Sequence, residues 1–95
     1  MTPEDVVHNA AVGRFEVRVG EDVAVLDYTL SSGRIVFVHT GVPPALEGKG
    51  IGSRLARAGL DFARREGLRV VARCPFIRAY IEKHPEEYGS LVRRA

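Results

Sequence analysis

The hydrophobic pattern of this chain changes its period at two consecutive prolines, Pro43 and Pro44. Before them, apolar and β-branched residues follow the two-residue period of half-buried β-strands in three runs, at 15–19, 23–30 and 34–39. Short segments rich in turn-forming residues separate these runs, which favours hairpins. The first half therefore predicts three antiparallel strands that follow one another as a meander.

After the prolines, the pattern takes the period of an α-helix. From Ile51 onward, apolar residues share one face and arginines occupy most of the other, which predicts an amphipathic helix of about four turns that ends near Gly67. A β-branched strand is predicted at 68–72, and a second helix is predicted between Pro75 and Pro85. One or two further helical turns are predicted before the C-terminus.

The predicted order of elements is β-β-β-α-β-α, which is an α+β fold. A strand, a helix and another strand in succession, here within 34–72, normally form a right-handed parallel crossover. With 95 residues, the chain is expected to be a single domain, 1–95, that is large enough to bury a hydrophobic core.

Composition excludes several classes of protein. The single cysteine, Cys74, excludes a disulfide framework and a multi-cysteine zinc site, and we predict no bound metal. The N-terminus resembles neither a secretory nor a transit peptide, and no apolar stretch could span a membrane, so a cytoplasmic protein is expected. The net charge is +2 and arginines gather from Arg54 onward, but only 7% of residues are aromatic, which disfavours nucleic acid as a partner.

Residues 47–53, the glycine loop, lie between a predicted strand and the long helix. Glycines let the backbone approach an anion, and the free N–H groups at a helix start bind phosphate oxygens. The spacing excludes a Walker loop, because Lys49 precedes the last two glycines. It also excludes the dinucleotide fingerprint, because Ser53 or Leu55 stands at the third glycine position. A phosphate loop of another kind remains, and the alternative is a glycine-rich helix start that serves tight packing alone.

Residues 42–55 resemble the coenzyme A pyrophosphate loop of the GCN5-related N-acetyltransferases. Over residues 14–92, the chain is similar to the small one-domain branch of that family through His39-Thr-Gly-Val-Pro-Pro, the glycine loop, Cys74-Pro-Phe, Tyr80-Ile and His84-Pro. The resemblance implies a strongly twisted sheet that splits between two central parallel strands, here 34–40 and 68–73, to admit acetyl-CoA.

The resemblance also implies which residues bind acetyl-CoA. Amides of the glycine loop are expected to face the pyrophosphate, and the full set of expected cofactor-binding residues is Val42, Gly48, Lys49, Gly50, Ile51, Gly52, Ser53, Phe76 and Tyr80. Glu47 stands where the family has glutamine or arginine, so its side chain is expected to turn outward. Tyr80 is one position out of register with the tyrosine that serves as an acid in the family.

Cys74 and His39 are the candidate catalytic residues. Each ends one of the two predicted parallel strands, and ligands of open α/β sheets bind at those carboxyl ends. Cys74 also precedes a helix N-terminus, which favours its thiolate form. The pair fits a nucleophile and base acting through an acyl-cysteine, or a thiol acid and amine base in direct transfer. The alternative is a buried structural Cys74 and a His39 that is hydrogen-bonded at the rim.

Four other residues are expected to have structural roles or little role. Tyr28 and Tyr88 are expected to pack in the interior, and His84 is expected to end its helix. His8 is expected to lie in a frayed terminal segment.

The leading hypothesis from the resemblance is an acetyl-CoA-dependent N-acetyltransferase. The alternatives are a CoA-binding module without turnover and, from the arginines alone, a small nucleic-acid binder. The amine acceptor cannot be read from the sequence, and a homodimer is left open. The chain lacks the helical pair that many members of the family place between their first strands, which predicts an open acceptor side.

Overall fold

A computed structural model describes residues 5–92 of the chain. In that range the strands are β1 (Val7–Asn9), β2 (Arg14–Val19), β3 (Asp22–Ser31), β4 (Arg34–Gly41) and β5 (Arg69–Ala72). The α-helices are α1 (Ile51–Arg65), α2 (Pro75–Lys83) and α3 (Pro85–Val92), and short 3₁₀ turns lie at Ala10–Val12 and Pro44–Leu46.

The strands form one mixed sheet in the order β1-β2-β3-β4-β5. Neighbours are antiparallel from β1 to β4, and β5 runs parallel to β4 after the crossover through α1. The predicted α+β fold is thus confirmed, with its meander and parallel crossover. The structure corrects two details: β1 precedes the meander, and within residues 5–92 the parallel strand β5 lies at the edge of the sheet rather than in its centre. The lateral place of a strand depends on tertiary pairing, which leaves no local pattern.

An aromatic cluster holds β1 in place, so the prediction that His8 lies in a frayed segment is wrong. His8 pairs with Phe15 in the sheet and stacks on its ring, with centroids 4.2 Å apart. The ring of Phe62 from α1 packs edge-on against His8 at 4.6 Å, and the hydroxyl of Tyr28 lies 2.5 Å from its Nε2. These contacts come from distant parts of the chain, and a strand of three residues cannot show a period of its own.

The free energy of unfolding is expected to decrease as the pH is lowered because of His8. Burial lowers the pKa of His8, and the nearby charge of Arg65 lowers it further. In the unfolded chain its pKa is about 6.5, so below that pH the unfolded state binds more protons than the folded state. Urea unfolding at pH 7.5 and 5.5 should therefore show a steeper loss of stability in the wild type than in His8→Phe, which keeps a stacked ring and removes the titration. Equal losses in the two proteins would contradict this assignment.

Helix α1 covers one face of the sheet and contacts β2 through β5. The strands contribute to the buried core at alternate positions: Phe15, Val17, Ala24, Leu26, Tyr28, Ile35 and Phe37. The helix contributes Ile51, Leu55, Ala56, Leu60 and Ala63. In the described part of β2, β3 and β4, side chains on the other face are all half-buried or exposed. We call this other face of β2–β4 the open face.

Two helical glycines should respond in opposite directions to the same substitution. A Cβ on Gly59 would lie 2.8 Å from Cε1 of Phe37 and 2.9 Å from Cδ2 of Leu26. A Cβ on Gly89 would meet only Pro85, at 3.9 Å. Alanine in a helix gains about 1 kcal/mol over glycine, whereas overpacking a core costs about 1–3 kcal/mol.

We therefore expect Gly89→Ala to raise the free energy of unfolding by up to about 1 kcal/mol and Gly59→Ala to lower it by about the same amount. Thermal unfolding resolves the difference, because 1 kcal/mol shifts the melting temperature of a domain of this size by roughly 4–8 °C. If both variants were stabilised, the close packing around Gly59 would be disproved.

Strands β4 and β5 part before β4 ends. Their last pair joins Phe37 with Ala72, and the amides of Arg73 and Cys74 both donate to the carbonyl of Phe37, at 3.1 and 3.0 Å. Beyond it, residues 38–41 of β4 have no described strand on that side. On its other side β4 carries a β-bulge, because Phe37 pairs with Tyr28 but the next pair joins His39 with Asp27. Val38 is the extra residue of this bulge.

The C-terminal helices follow most of the predicted boundaries. His84 ends α2 as predicted, and its Nδ1 lies 3.0 Å from the carbonyl oxygen of Tyr80. Pro85 begins α3, one residue before the short helical segment predicted at 86–92, and the helix has about the predicted length. Tyr28 and Tyr88 are both buried, as expected.

Within residues 5–92, no helix is long and apolar enough to cross a membrane, and no group of three or more His, Cys, Asp or Glu side chains could hold a metal ion.

Candidate active site

The glycine loop leads from the Pro44–Leu46 turn into α1 with two residues in the left-handed conformation. Gly48 and Gly50 have φ values of 80° and 73°, where a side chain is strained. A Cβ on either residue would meet nothing within 4 Å. Glycine is therefore needed here for backbone geometry, and the space beside both residues is open.

The N-terminus of α1 presents backbone donors that the helix does not use. The amide of Arg54 makes the first helical hydrogen bond, to the carbonyl of Gly50 at 3.2 Å. The amides of residues 51–53 come before it and have no partner within the helix. Among the described residues, no side chain caps this end, and no acidic residue lies in its first turn. The uncapped amides and the positive end of the helix dipole can bind an anion.

Gly52 has a different reason to be glycine. A Cβ there would lie 2.9 Å from Cζ of Phe76, the second residue of α2, whose ring packs across the start of α1. Phe76 is 41% exposed although it makes this contact. The packing alternative therefore explains Gly52, but it does not explain Gly48 or Gly50, which have open space beside them.

A cavity of about 450 Å³ lies between the end of β4, the glycine loop and the start of α2. Its volume is within the range of small-molecule sites. The lining contains the predicted cofactor residues Val42, Gly48, Gly50, Ile51, Gly52, Ser53 and Phe76. It also contains Thr40, Leu46 and Glu47, none of which was predicted to bind the cofactor.

Two predicted cofactor residues lie outside that lining. Lys49 is exposed in the glycine loop. Tyr80 is buried between helices, where its ring stacks on His84 at 4.3 Å and is tilted against Tyr88 at 6.0 Å. Glu47, whose side chain was expected to turn outward, is exposed at the cavity.

Cys74 lies at the point where β4 and β5 part. It is 4% exposed and is the N-cap residue of α2, and its carbonyl accepts the amide of Arg78 at 3.0 Å. Its Sγ is 3.1 Å from Oγ1 of Thr40, which lines the cavity. The thiol is therefore next to the cavity and close to the positive end of a helix. Thr40 was missed by the sequence analysis, and its place directly after His39 in a predicted strand was the available signal.

His39 lies on the open face and not beside Cys74. It pairs with Asp27, whereas Thr40 pairs with the buried Leu26, so the two neighbours point to opposite faces of β4. Its ring leans over Gly41, where a Cβ would lie 3.0 Å from Nε2 of His39. The described side-chain hydrogen bonds join Cys74 to Thr40 and include none between Cys74 and His39. The two candidate catalytic residues thus flank the parting of the strands from opposite faces.

Comparison with known proteins gives concordant matches over most of the chain. The sequence model of the family described as GCN5-related N-acetyl-transferase matches residues 14–91. Protein NATD1 of Gallus gallus is 40% identical over 86 residues, which cover 87% of this chain and 78% of that protein. The match to Protein NATD1 of Homo sapiens has the same identity and covers 76% of that protein.

A solved structure has the same architecture. The NMR solution structure of a GCN5-like, proposed N-acetyltransferase from Staphylococcus aureus superposes with a TM-score of 0.74. The match covers 96% of this chain and 89% of that one, at 26% sequence identity.

Proposed function

Because the chain belongs to the family of GCN5-related N-acetyltransferases, we propose that it transfers an acetyl group from acetyl-CoA to an amine. The observation that carries the proposal is the uncapped start of α1 beside Gly48 and Gly50, at the edge of a cavity that reaches Thr40. When bound, acetyl-CoA supplies an activated thioester and a pyrophosphate that the helix start can hold.

The residues present suit both ends of acetyl-CoA. Amides of residues 51–53 would bind the pyrophosphate, and the open space beside the two left-handed glycines lets its oxygens approach the backbone. Val42, Ile51 and Phe76 give the cavity an apolar side for the pantetheine arm. The lining also includes Thr40, which contacts Cys74.

Cys74 and His39 are proposed to act separately in direct transfer. The amine nitrogen forms a bond to the acetyl carbonyl carbon as the carbon–sulfur bond breaks. His39, on the open face, takes the proton of the amine, and the thiol of Cys74 gives a proton to the departing CoA sulfur. The Cys74 thiolate that remains takes up a proton again before the next transfer. Direct transfer needs no contact between the two residues, whereas a cysteine nucleophile activated by His39 does need one.

Two measurements test the proposal. Calorimetric titration with acetyl-CoA should show binding, and mass spectrometry should show acetylated products among a panel of amines and peptides. Absence of binding at high micromolar acetyl-CoA would overturn the cofactor assignment. Binding without any transfer would favour a CoA-binding module without turnover, for which the carboxylate of Glu47 at the cavity is the favouring observation.

A further inference from the structure

A second cavity, of about 410 Å³, runs along β5 between that strand and α2, and shares no lining residue with the candidate active site. Its apolar lining includes Val71, Ala72 and Ile81, and its basic residues are Arg34, Arg69 and Arg78. We call it the β5 groove. Among residues 5–92, Glu82 is the lining carboxylate, so three arginines face one glutamate and the described lining carries a net charge of two positive units.

Two of the arginines lie side by side without compensation. Arg34 and Arg69 are direct partners in the parallel pairing of β4 and β5. Both are exposed, and among the described residues neither side chain has an ion pair or a hydrogen bond. Like charges on directly paired strand positions repel each other. An anionic partner at this end of the groove would remove that repulsion.

The other end of the groove offers a fixed arginine and a backbone donor. Nη2 of Arg78 donates to the carbonyl of Ala72 at 3.2 Å, which holds the guanidinium there. The amides of Arg69 and Arg73 donate towards the β4 side, to the carbonyls of Gly33 and Phe37 at 2.9 and 3.1 Å, so alternation directs the amide of Ala72 to the outer edge of β5. Within residues 5–92, no strand pairs with that edge. Edge strands of this kind accept extended segments of other chains.

We propose that the β5 groove binds an extended acidic segment of another protein. One carboxylate pairs with Arg34 and Arg69, a second reaches Arg78, and an aliphatic side chain between them packs on Val71 and Ile81. The two ends, at Arg69 and Ala72, are three residue steps apart along β5, which is about 10 Å, so the acidic positions lie two to four residues apart in the partner. This inference does not depend on acetyl transfer, because the groove is separate from the candidate active site.

The lining of the β5 groove argues against a second copy of this chain and against nucleic acid as its occupant. In a two-fold dimer built on this groove, the same basic patch would face itself, so positive charge would meet positive charge. For nucleic acid, bases usually stack on aromatic rings, and the described lining of the groove contains none. An acidic segment with an apolar residue matches both the basic and the apolar parts of the lining.

The test uses the full chain and a labelled decapeptide of alternating aspartate and valine, blocked at both ends so that it offers no amine to acetylate. The matched control peptide has asparagine in place of aspartate. The double variant Arg34→Glu with Arg69→Glu replaces one like-charge pair by another and reverses two charges, and Arg18→Glu reverses one charge on an exposed β2 residue. Fluorescence anisotropy should show submillimolar binding of the aspartate peptide that the double variant weakens at least tenfold and Arg18→Glu changes less than twofold.

Several outcomes would overturn the proposal. These are no binding of the aspartate peptide at 1 mM, equal binding of the asparagine peptide, or equal losses in the groove and Arg18 variants. A dimer in sedimentation that the double variant dissociates would assign the groove to a second copy, and tighter binding of a short RNA would assign it to nucleic acid. If the double variant failed to fold, Arg69→Glu alone would serve, because it places opposite charges side by side at Arg34 and residue 69. This variant should raise the melting temperature and weaken binding of the aspartate peptide.

Discussion

Ser53→Asp is expected to weaken acetyl-CoA binding roughly tenfold to a hundredfold while it raises the melting temperature of the free protein. Ser53 is the third residue of α1, is exposed, and lines the candidate active site. A carboxylate in the first turn of a helix is favourable by about 0.3–1 kcal/mol, because it faces the positive end of the dipole. The same carboxylate would occupy the position proposed for the pyrophosphate and repel it. Opposite changes in stability and affinity distinguish a lost anion site from general damage to the fold.

The matched control is Ser32→Asp. Ser32 is an exposed serine just before β4, at the opposite end of that strand from the glycine loop. Eight strand residues span about 26 Å, more than twice the Debye length of about 8 Å at physiological ionic strength. Calorimetric titration should therefore show wild-type affinity for Ser32→Asp and a weakened affinity for Ser53→Asp. If both variants lost affinity equally, or if neither did, the pyrophosphate would not be bound at the start of α1.

The parts of the fold that local patterns control were predictable from the sequence. The change of period at Pro43 and Pro44 placed the end of the meander, and the start of α1 at Ile51 agrees with the prediction. Gly48 and Gly50 could be singled out because their role is a local backbone conformation. Gly52 looked the same in sequence, yet its role depends on the ring of Phe76 from another helix, which no local pattern shows.

The relative placement of His39 and Cys74 could not be predicted from the sequence because β4 carries one inserted residue. Simple alternation from the buried Phe37 would put His39 on the same face, next to Cys74. The bulge at Val38 shifts the register by one, so Thr40 takes that place and His39 moves to the open face. A shift of one residue exchanges the faces of every later side chain in a strand, and the sequence carries no clear signal of the bulge.

His39→Ala is expected to lower the rate of acetyl transfer by roughly 10²–10⁴-fold and to leave the affinity for acetyl-CoA unchanged. The loss reflects removal of the base that takes the proton of the amine. The affinity should persist because His39 points to the open face, whereas Thr40 lines the cavity on the other. Thr29→Ala is the matched control, since Thr29 is exposed and alternates with the buried Tyr28 on β3, which places it on the open face nearer the start of β4. That variant should keep wild-type rates.

A second experiment separates direct transfer from an acyl-cysteine. Direct transfer predicts that protein mixed with acetyl-CoA in the absence of an amine gains no acetyl group on Cys74, as read by intact-mass and peptide mass spectrometry. Cys74→Ala should then slow transfer without abolishing it, because water can still protonate the departing thiolate. An acetyl group that forms on Cys74 and leaves when amine is added would overturn direct transfer. A rate for His39→Ala within threefold of the wild type would instead remove His39 as the base.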